Sequence, residues 1–228
     1  MRYLLVSIIA LTIFVILAVL VSPRVNGNFN SPIIKQDNMA FLKINSSHYH
    51  ALNEFMVLMS KYGREVVWSL AILLLFIFAG WTGKKTAVIM TLAMLLIVPI
   101  GTAAKDIVAR PRPVIPNADF LTAADREYAF PSGHAMIVSA GAATVLALFR
   151  DSPKRLAISL ALTVEAALVS FSRVYVGGHY PLDVIGGILL GVGISFIFIA
   201  EARYVEQLLM RIKKVIKPQS REKYNYRR

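Results

Sequence analysis

The chain has 228 residues, of which 57% are hydrophobic and only 17% charged, with a mean hydropathy of +0.61 and no cysteine. Soluble domains run about 45–50% apolar and about 25% charged, so these figures point to the bilayer and exclude disordered or collagen-like architectures. Its 25 Lys and Arg against 13 Asp and Glu give a net charge of +12, which favours anionic headgroups or phosphorylated substrates over nucleic acid, while the lack of Cys removes disulfides, thiolate catalysis and Cys-based metal sites.

An apolar run of about 20 residues crosses a hydrocarbon core, and six are predicted, at 3–21, 66–81, 86–104, 132–149, 156–172 and 182–200. The first ends at Ser22-Pro23. It is too long for a signal-peptide core of about 7–15 residues and lacks a clear cleavage site, so it reads as a retained span. Residues 22–65 form an outer loop in which Leu52, Phe55, Met56 and Met59 recur at helical spacing. This predicts an interfacial helix packed on the bundle or the headgroups, in preference to a lid over a lipid entrance. His48 and His50 flank its start and read as solvated loop residues, and Asn45-Ser46-Ser47 fits the glycosylation sequon.

The second span ends at Gly83-Lys84-Lys85, and the third carries Pro99 and Gly101, which predict a kink near its exit. The fourth stops before the polar run from Arg150 to Arg155. Glu165, near the middle of the fifth, is expected to face the bundle interior, protonated or hydrogen-bonded, outside catalysis. In the sixth, Gly187 and Gly191 are spaced G-x-x-x-G, with Gly186 and Gly193 adding small surface. Close packing within the bundle is favoured over dimerisation. The tail from Arg203 sets Val205, Leu208, Leu209, Ile212, Val215 and Ile216 opposite Arg211, Lys213, Lys214 and Lys217, until Pro218 stops it. This predicts a basic amphipathic helix on anionic lipid of the inner leaflet.

An even number of spans puts both termini on one side, and that side holds 15 Lys and Arg against 10 in the opposite loops, which are about twice as long. The positive-inside rule therefore places the termini in the cytoplasm and the loops after spans one, three and five outside. Spans three and five exit outward while four and six enter from outside. Lys105, Arg110, Arg112, Ser132, Gly133, His134, Ser172, Arg173, His179 and Asp183 thus collect at one membrane face.

Singly, Lys105 or Arg112 would be a snorkelling residue and a lone His at a helix end structural. Together Lys105, Arg112 and Arg173 supply three permanent cations with no obvious carboxylate excess, which suits a phosphate: arginine matches its oxygens in pairs and lysine acts as a point charge. Pro131-Ser132-Gly133-His134 predicts a helix start. Ser132 would be N-cap or ligand donor, Gly133 would let the backbone approach, and the free N–H groups would form an anion site. His179 and Asp183 are four apart, so the carboxylate can fix the imidazole tautomer and leave the other ring nitrogen to attack phosphorus. His134 would protonate the departing oxygen. Two His and one Asp also make a conceivable metal triad, but the three cations would repel a divalent ion and no metal is expected. Arg110 is either an additional cation for a diphosphate or a headgroup anchor, the anchor being preferred.

The segment from Lys105 to Pro113 has the form K-x6-R-P, Pro131 to His134 the form P-S-G-H, and Ser172 to Asp183 the form S-R-x5-H-x3-D. In this order they resemble the signature of the type-2 phosphatidic acid phosphatase superfamily, which also includes bacterial undecaprenyl-pyrophosphate phosphatases and vanadium haloperoxidases. The helix layout extends the resemblance over most of the chain; residues 25–64 and the tail fall outside it. The resemblance implies an all-α, six-transmembrane bundle forming one domain over 1–228. It further implies a metal-independent phosphatase, needing no cofactor and acting on lipid phosphates, with His179 as the phosphohistidine nucleophile, Asp183 as its partner and His134 as the acid. Lys105, Arg112, Ser132, Gly133 and Arg173 would hold the phosphate. The expected reaction removes a terminal phosphate from a lipid phosphate or a polyprenyl (undecaprenyl- or dolichyl-type) pyrophosphate at the outer face. The alternatives are a phosphatase for phosphatidate, phosphatidylglycerophosphate or small sugar phosphates, a lipid phosphotransferase, and a non-catalytic anionic-lipid transporter. A haloperoxidase is disfavoured, because a membrane-facing pocket suits vanadate and a soluble halide poorly. The oligomeric state stays open.

Overall fold

Proline and serine set where several helices begin. Pro stands in the first turn of four of them, where its missing N–H is not needed, and the Ser31 and Ser152 hydroxyls accept from the amides of Ile34 and Arg155. The computed structural model describes residues 1–27, 31–46, 48–116, 118–122 and 126–216. In chain order they form α1 (Arg2–Val21), α2 (Pro23–Asn26), α3 (Pro32–Asn45), α4 (His50–Leu58), a π-helical segment (Met59–Val67), α5 (Trp68–Phe78), α6 (Gly80–Val108), α7 (Gly133–Leu148), α8 (Pro153–Tyr175), α9 (Pro181–Ala200) and α10 (Ala202–Ile216). No strand occurs among the described residues. Four helices, α1, α6, α8 and α9, are long and apolar enough to cross a membrane. Of the other two expected spans, α7 has 16 residues and α5 has 11, the latter prolonged backward by the π-helical segment and α4.

The hub is α9, which packs against α1, α3, α6, α7 and α8. A Cβ on Gly187 would fall 2.6 Å from the Ser132 carbonyl oxygen, and one on Gly191 2.3 Å from that of Met136. The glycine stripe therefore seats α9 directly on the α7 backbone, inside the molecule as expected. Gly193 meets Leu11 of α1, where Ser7 Oγ also donates to its carbonyl at 2.7 Å. One apolar cluster joins α1, α6, α7 and α9 around Phe14, Ile97, Phe130 and Leu190; a second joins α5 through α8 around Trp68, Met90, Val138 and Val169. Glu165 faces Trp68 in the interior and accepts its Nε1–H at 2.8 Å.

The chain reverses between α5 and α6 earlier than expected. Gly80 makes the turn at φ +68°, whereas Gly83 lies within α6, where a Cβ would come 2.4 Å from the Leu75 carbonyl oxygen. Gly83 is thus a helix-crossing glycine, and Lys85 beside it donates to Glu206 of α10 at 3.1 Å. Arg155, which bonds Asp151 and the Ala79 carbonyl, joins the same end of the bundle. Lys217 and Pro218, expected to end the tail helix, lie outside the described residues.

Between α1 and the π-helical segment, α3 was not expected. The predicted interfacial helix is α4, whose Met56 is buried against Tyr175 and Val176 while Leu52 and Phe55 stay exposed. His50 is exposed, but His48 is no solvated loop residue: its Nδ1 lies 3.0 Å from Asp119 Oδ2 and its Nε2 2.7 Å from the Tyr175 carbonyl oxygen. Asn45 is fully buried, donating to the carbonyls of Asp119 and Tyr175 and accepting from the Asp119 amide. A buried side chain with its amide so committed cannot carry a glycan; Ser47 of that sequon lies outside the described residues.

Candidate active site

The polar motifs meet at the end of the bundle where α6 and α8 finish and α7 and α9 begin. At Ala109 the backbone enters the left-handed region, φ 54°, unusual for a residue with a Cβ. This ends α6 and turns Arg110 inward. Its Nη1 donates to Asp183 Oδ1 at 2.7 Å, its Nη2 to Asp37 Oδ2 at 2.5 Å, and its guanidinium carbon sits 4.3 Å from the Tyr180 ring centroid. Burial works against the charge on Arg110, but Asp183 and Asp37 together hold the group above its ordinary value. At 2% exposure, with both carboxylates bound to it, Arg110 is neither a headgroup anchor nor a cation for a second phosphate.

Asp183 is wholly buried. Besides Arg110, it takes the Tyr180 amide on Oδ2 at 2.9 Å, closing a capping box at the start of α9. The same Oδ2 is 3.6 Å from His179 Nδ1, an ion-pair distance longer than a hydrogen bond. His179 is delivered by Gly177, whose φ of +90° bends the chain out of α8, and its amide donates to the Arg173 carbonyl at 3.0 Å. Its Nε2 lies 2.8 Å from Arg112 Nη1. A guanidinium can only donate, so Nε2 accepts and the ring proton stands on Nδ1, on the Asp183 side.

Arg112 also donates from Nε to the Glu127 carbonyl and from Nη1 to the Gly178 carbonyl, at 2.9 and 2.7 Å. The buried Lys105 ammonium pairs with the Glu127 carboxylate, whose side chain is 68% exposed. The cation cluster therefore does contain a carboxylate, missed because Glu127 sits in a long outer loop without periodicity. Arg173 is buried behind the histidines, donates to Ser60 Oγ, and would lie 3.0 Å from a Cβ on Gly178. Ser172 bonds back to the Val169 carbonyl within α8.

Ser132 occupies the N-cap position of α7 in extended backbone, and its amide donates to the Asp183 carbonyl at 2.9 Å. Its hydroxyl makes no capping bond. Though buried, the hydroxyl has no hydrogen-bond partner among the described residues. Gly133 and His134 follow on the first turn of α7 and line a cavity of about 450 Å³ with Lys105, Arg112, Glu127 and His179. Toward the middle of the bundle the cavity continues along Val98, Thr102 and Ile137, and Arg64 and Arg126 complete its wall. The structure thus gathers all eight predicted site residues at one end, with Ser132, Arg173 and Asp183 set behind the lining. Sequence reasoning missed Asp37, Ser60, Arg64 and Glu127; for Ser60 and Arg64 the available signal was a short polar stretch just before the second apolar run.

Residues 86–205 match the family model of the PAP2 superfamily, a stretch that contains every motif residue and leaves out Asp37, Ser60 and Arg64. Over 211 residues the chain is 38% identical to an undecaprenyl-diphosphatase of Sulfolobus acidocaldarius, covering 88% of this chain and 96% of that protein. It is 27% identical over 154 residues to the undecaprenyl-diphosphatase BcrC of Bacillus subtilis, covering 67% and 76%. Its fold is similar to that of a PAP2-type phosphatidylglycerolphosphate phosphatase from Bacillus subtilis, with a TM-score of 0.68 at 22% identity over 87% of this chain and 96% of the other.

Proposed function

The chain belongs to the PAP2 superfamily and is a membrane lipid phosphatase, and from that premise we propose that it removes the terminal phosphate of a polyprenyl diphosphate at the extracytoplasmic face, through a phosphohistidine on His179. The diphosphate preference draws on the two relatives named undecaprenyl-diphosphatases. The orientation draws on the charge asymmetry of the loops, with six crossings and both termini inside. One observation supports the mechanism: His179 Nε2 lies 2.8 Å from Arg112 Nη1, which can only donate, and this assigns the ring proton to Nδ1, 3.6 Å from Asp183 Oδ2.

Lys105 and Arg112 on the lining, and Arg173 from behind it, neutralise the non-bridging oxygens of the terminal phosphate. The free amides of the first α7 turn donate to them, and the Ser132 hydroxyl, unpartnered among the described residues, joins them once the phosphate seats against that turn. On binding, the phosphate displaces Glu127 from Lys105, one anion replacing another. His179 Nε2 forms a bond to phosphorus as the bond from phosphorus to the bridging oxygen breaks, and His134 gives that oxygen a proton. Asp183 stabilises the imidazolium that results. Water then attacks the phosphohistidine, His134 takes the water proton, and the P–N bond breaks to release phosphate. The apolar wall at Val98 and Ile137 leads the lipid chain from the site toward the bilayer; Val98 is 54% exposed on the bundle surface.

The test is phosphate release by the purified full chain in detergent with excess chelator, across undecaprenyl diphosphate, phosphatidate and glucose phosphate. Fastest turnover of the diphosphate is expected, with His179→Ala slowing it by about 10³-fold or more. Binding without release would turn the reading to a transporter, transfer to an added alcohol to a phosphotransferase, and loss of turnover in chelator would refute metal-independent chemistry.

A further inference from the structure

We propose that Arg64 forms a second phosphate subsite, holding the phosphate that remains on the lipid when a diphosphate is cleaved; this rests on the diphosphatase reading above. A polyprenyl diphosphate carries about three negative charges near neutral pH, and cleavage leaves about two on the departing lipid monophosphate, so a cation facing the leaving group lowers the barrier. The motif cations surround His179 and the phosphoryl group in transfer. Arg110, adjacent in sequence, is committed to Asp37 and Asp183.

Arg64 is placed differently. Its Nε and Nη2 both donate to the Glu65 carboxylate, the first at 2.7 Å, which fixes the guanidinium plane. Its Nη1 points to the start of α7, where a Cβ on Gly133 would meet it at 3.7 Å as the nearest atom. Arg64 lines the same cavity as Lys105, His134 and His179, and the Gly133 it faces directly precedes His134. The acid lies on the leaving-group side of an in-line displacement, so a cation beside His134 faces the phosphate that departs.

The local backbone explains the placement. Met59–Val67 is π-helical, a rare form that is frequently found at functional sites. Within this segment Gly63 presses on α8, where a Cβ would strike Val169 Cγ2 at 2.4 Å. Ser60, four residues before Arg64, takes the Arg173 guanidinium. One turn thus serves both subsites, Ser60 bracing a cation of the transferred phosphate and Arg64 facing the retained one.

The test compares kcat/KM of the full-length protein for a polyprenyl diphosphate and for a lipid monophosphate that it also cleaves. Arg64→Gln should lower the diphosphate value by about 10²-fold and leave the monophosphate value within about threefold, with Arg64→Lys intermediate. Because Arg64→Lys keeps the charge and the stem, its partial rescue separates lost binding from lost folding. Equal losses on both substrates, no loss on the diphosphate, or a selective loss produced instead by Arg126→Gln would each overturn the subsite. If the unaltered protein releases phosphate from neither lipid, the lipid phosphatase reading fails first and the subsite with it; if it cleaves both and Arg64→Gln reduces both in proportion, only the subsite fails.

Discussion

Asp183 anchors three things with one carboxylate: the first turn of α9 through the Tyr180 amide, the buried Arg110, and, at 3.6 Å, the ring of His179. A buried guanidinium between two buried carboxylates is secure only while all three remain, because removing one partner strands charge in a place water does not reach. Arg110→Gln is therefore expected to destabilise the protein by about 3–5 kcal/mol and lower its melting temperature in detergent. Phosphate release should fall as well, since Asp183 loses its main tether. An anchor for headgroups would behave otherwise, with the melting temperature unchanged and only the lipid dependence altered. The sequence placed Arg110 beside a phosphate motif but could not reveal its partners, since Asp37 and Asp183 each lie 73 positions away. His48 was misjudged for the same reason: its contacts on Asp119 and Tyr175 are 71 and 127 positions distant.

Among the elements, the pairing of α7 with α9 matters most to the site, because His134 opens the first while His179 and Asp183 stand at the start of the second. Gly191→Ala would bring a Cβ within 2.2 Å of Ser139 Oγ and 2.3 Å of the Met136 carbonyl oxygen, and the backbone cannot yield as a flexible side chain can. Overpacking of this kind costs about 1–3 kcal/mol. The expected result is a lower melting temperature together with slower phosphate release, as the two histidines move apart. An unchanged melting temperature would show that the two helices do not need that closeness. Apolar run length located α1, α8 and α9 well. It misplaced the reversal between α5 and α6, since a glycine that turns the chain and one that lets helices touch look alike in sequence. Nor does residue propensity announce the π-helical segment, which sits where Gly63 presses on α8.

At the scale of the molecule, polar chemistry lies at one end of the bundle, while the turn at Gly80, the α7–α8 turn and α10 lie at the other. The chain has no cysteine, so single introduced thiols report sidedness cleanly. A thiol placed at Val114, 86% exposed at the site end, should react with a membrane-impermeant maleimide in intact cells. One placed at Lys154, exposed at the far end, should react only after permeabilisation. The reverse pattern would put the site in the cytoplasm.

By itself the sequence determined that the chain is a multi-pass membrane protein, and it led to the expectations that three motifs share one membrane face and that they handle a phosphate. Those conclusions need only composition, the parity of spans and spacing along a helix, all of them local or additive properties. Only the tertiary structure decided which arginines face the cavity and which are buried against carboxylates. It also set the Ser132 hydroxyl inside without a partner among the described residues, and brought Arg64 to the start of α7. Such outcomes depend on contacts between residues far apart in the chain, where the charge of a side chain is known beforehand but its neighbours are not.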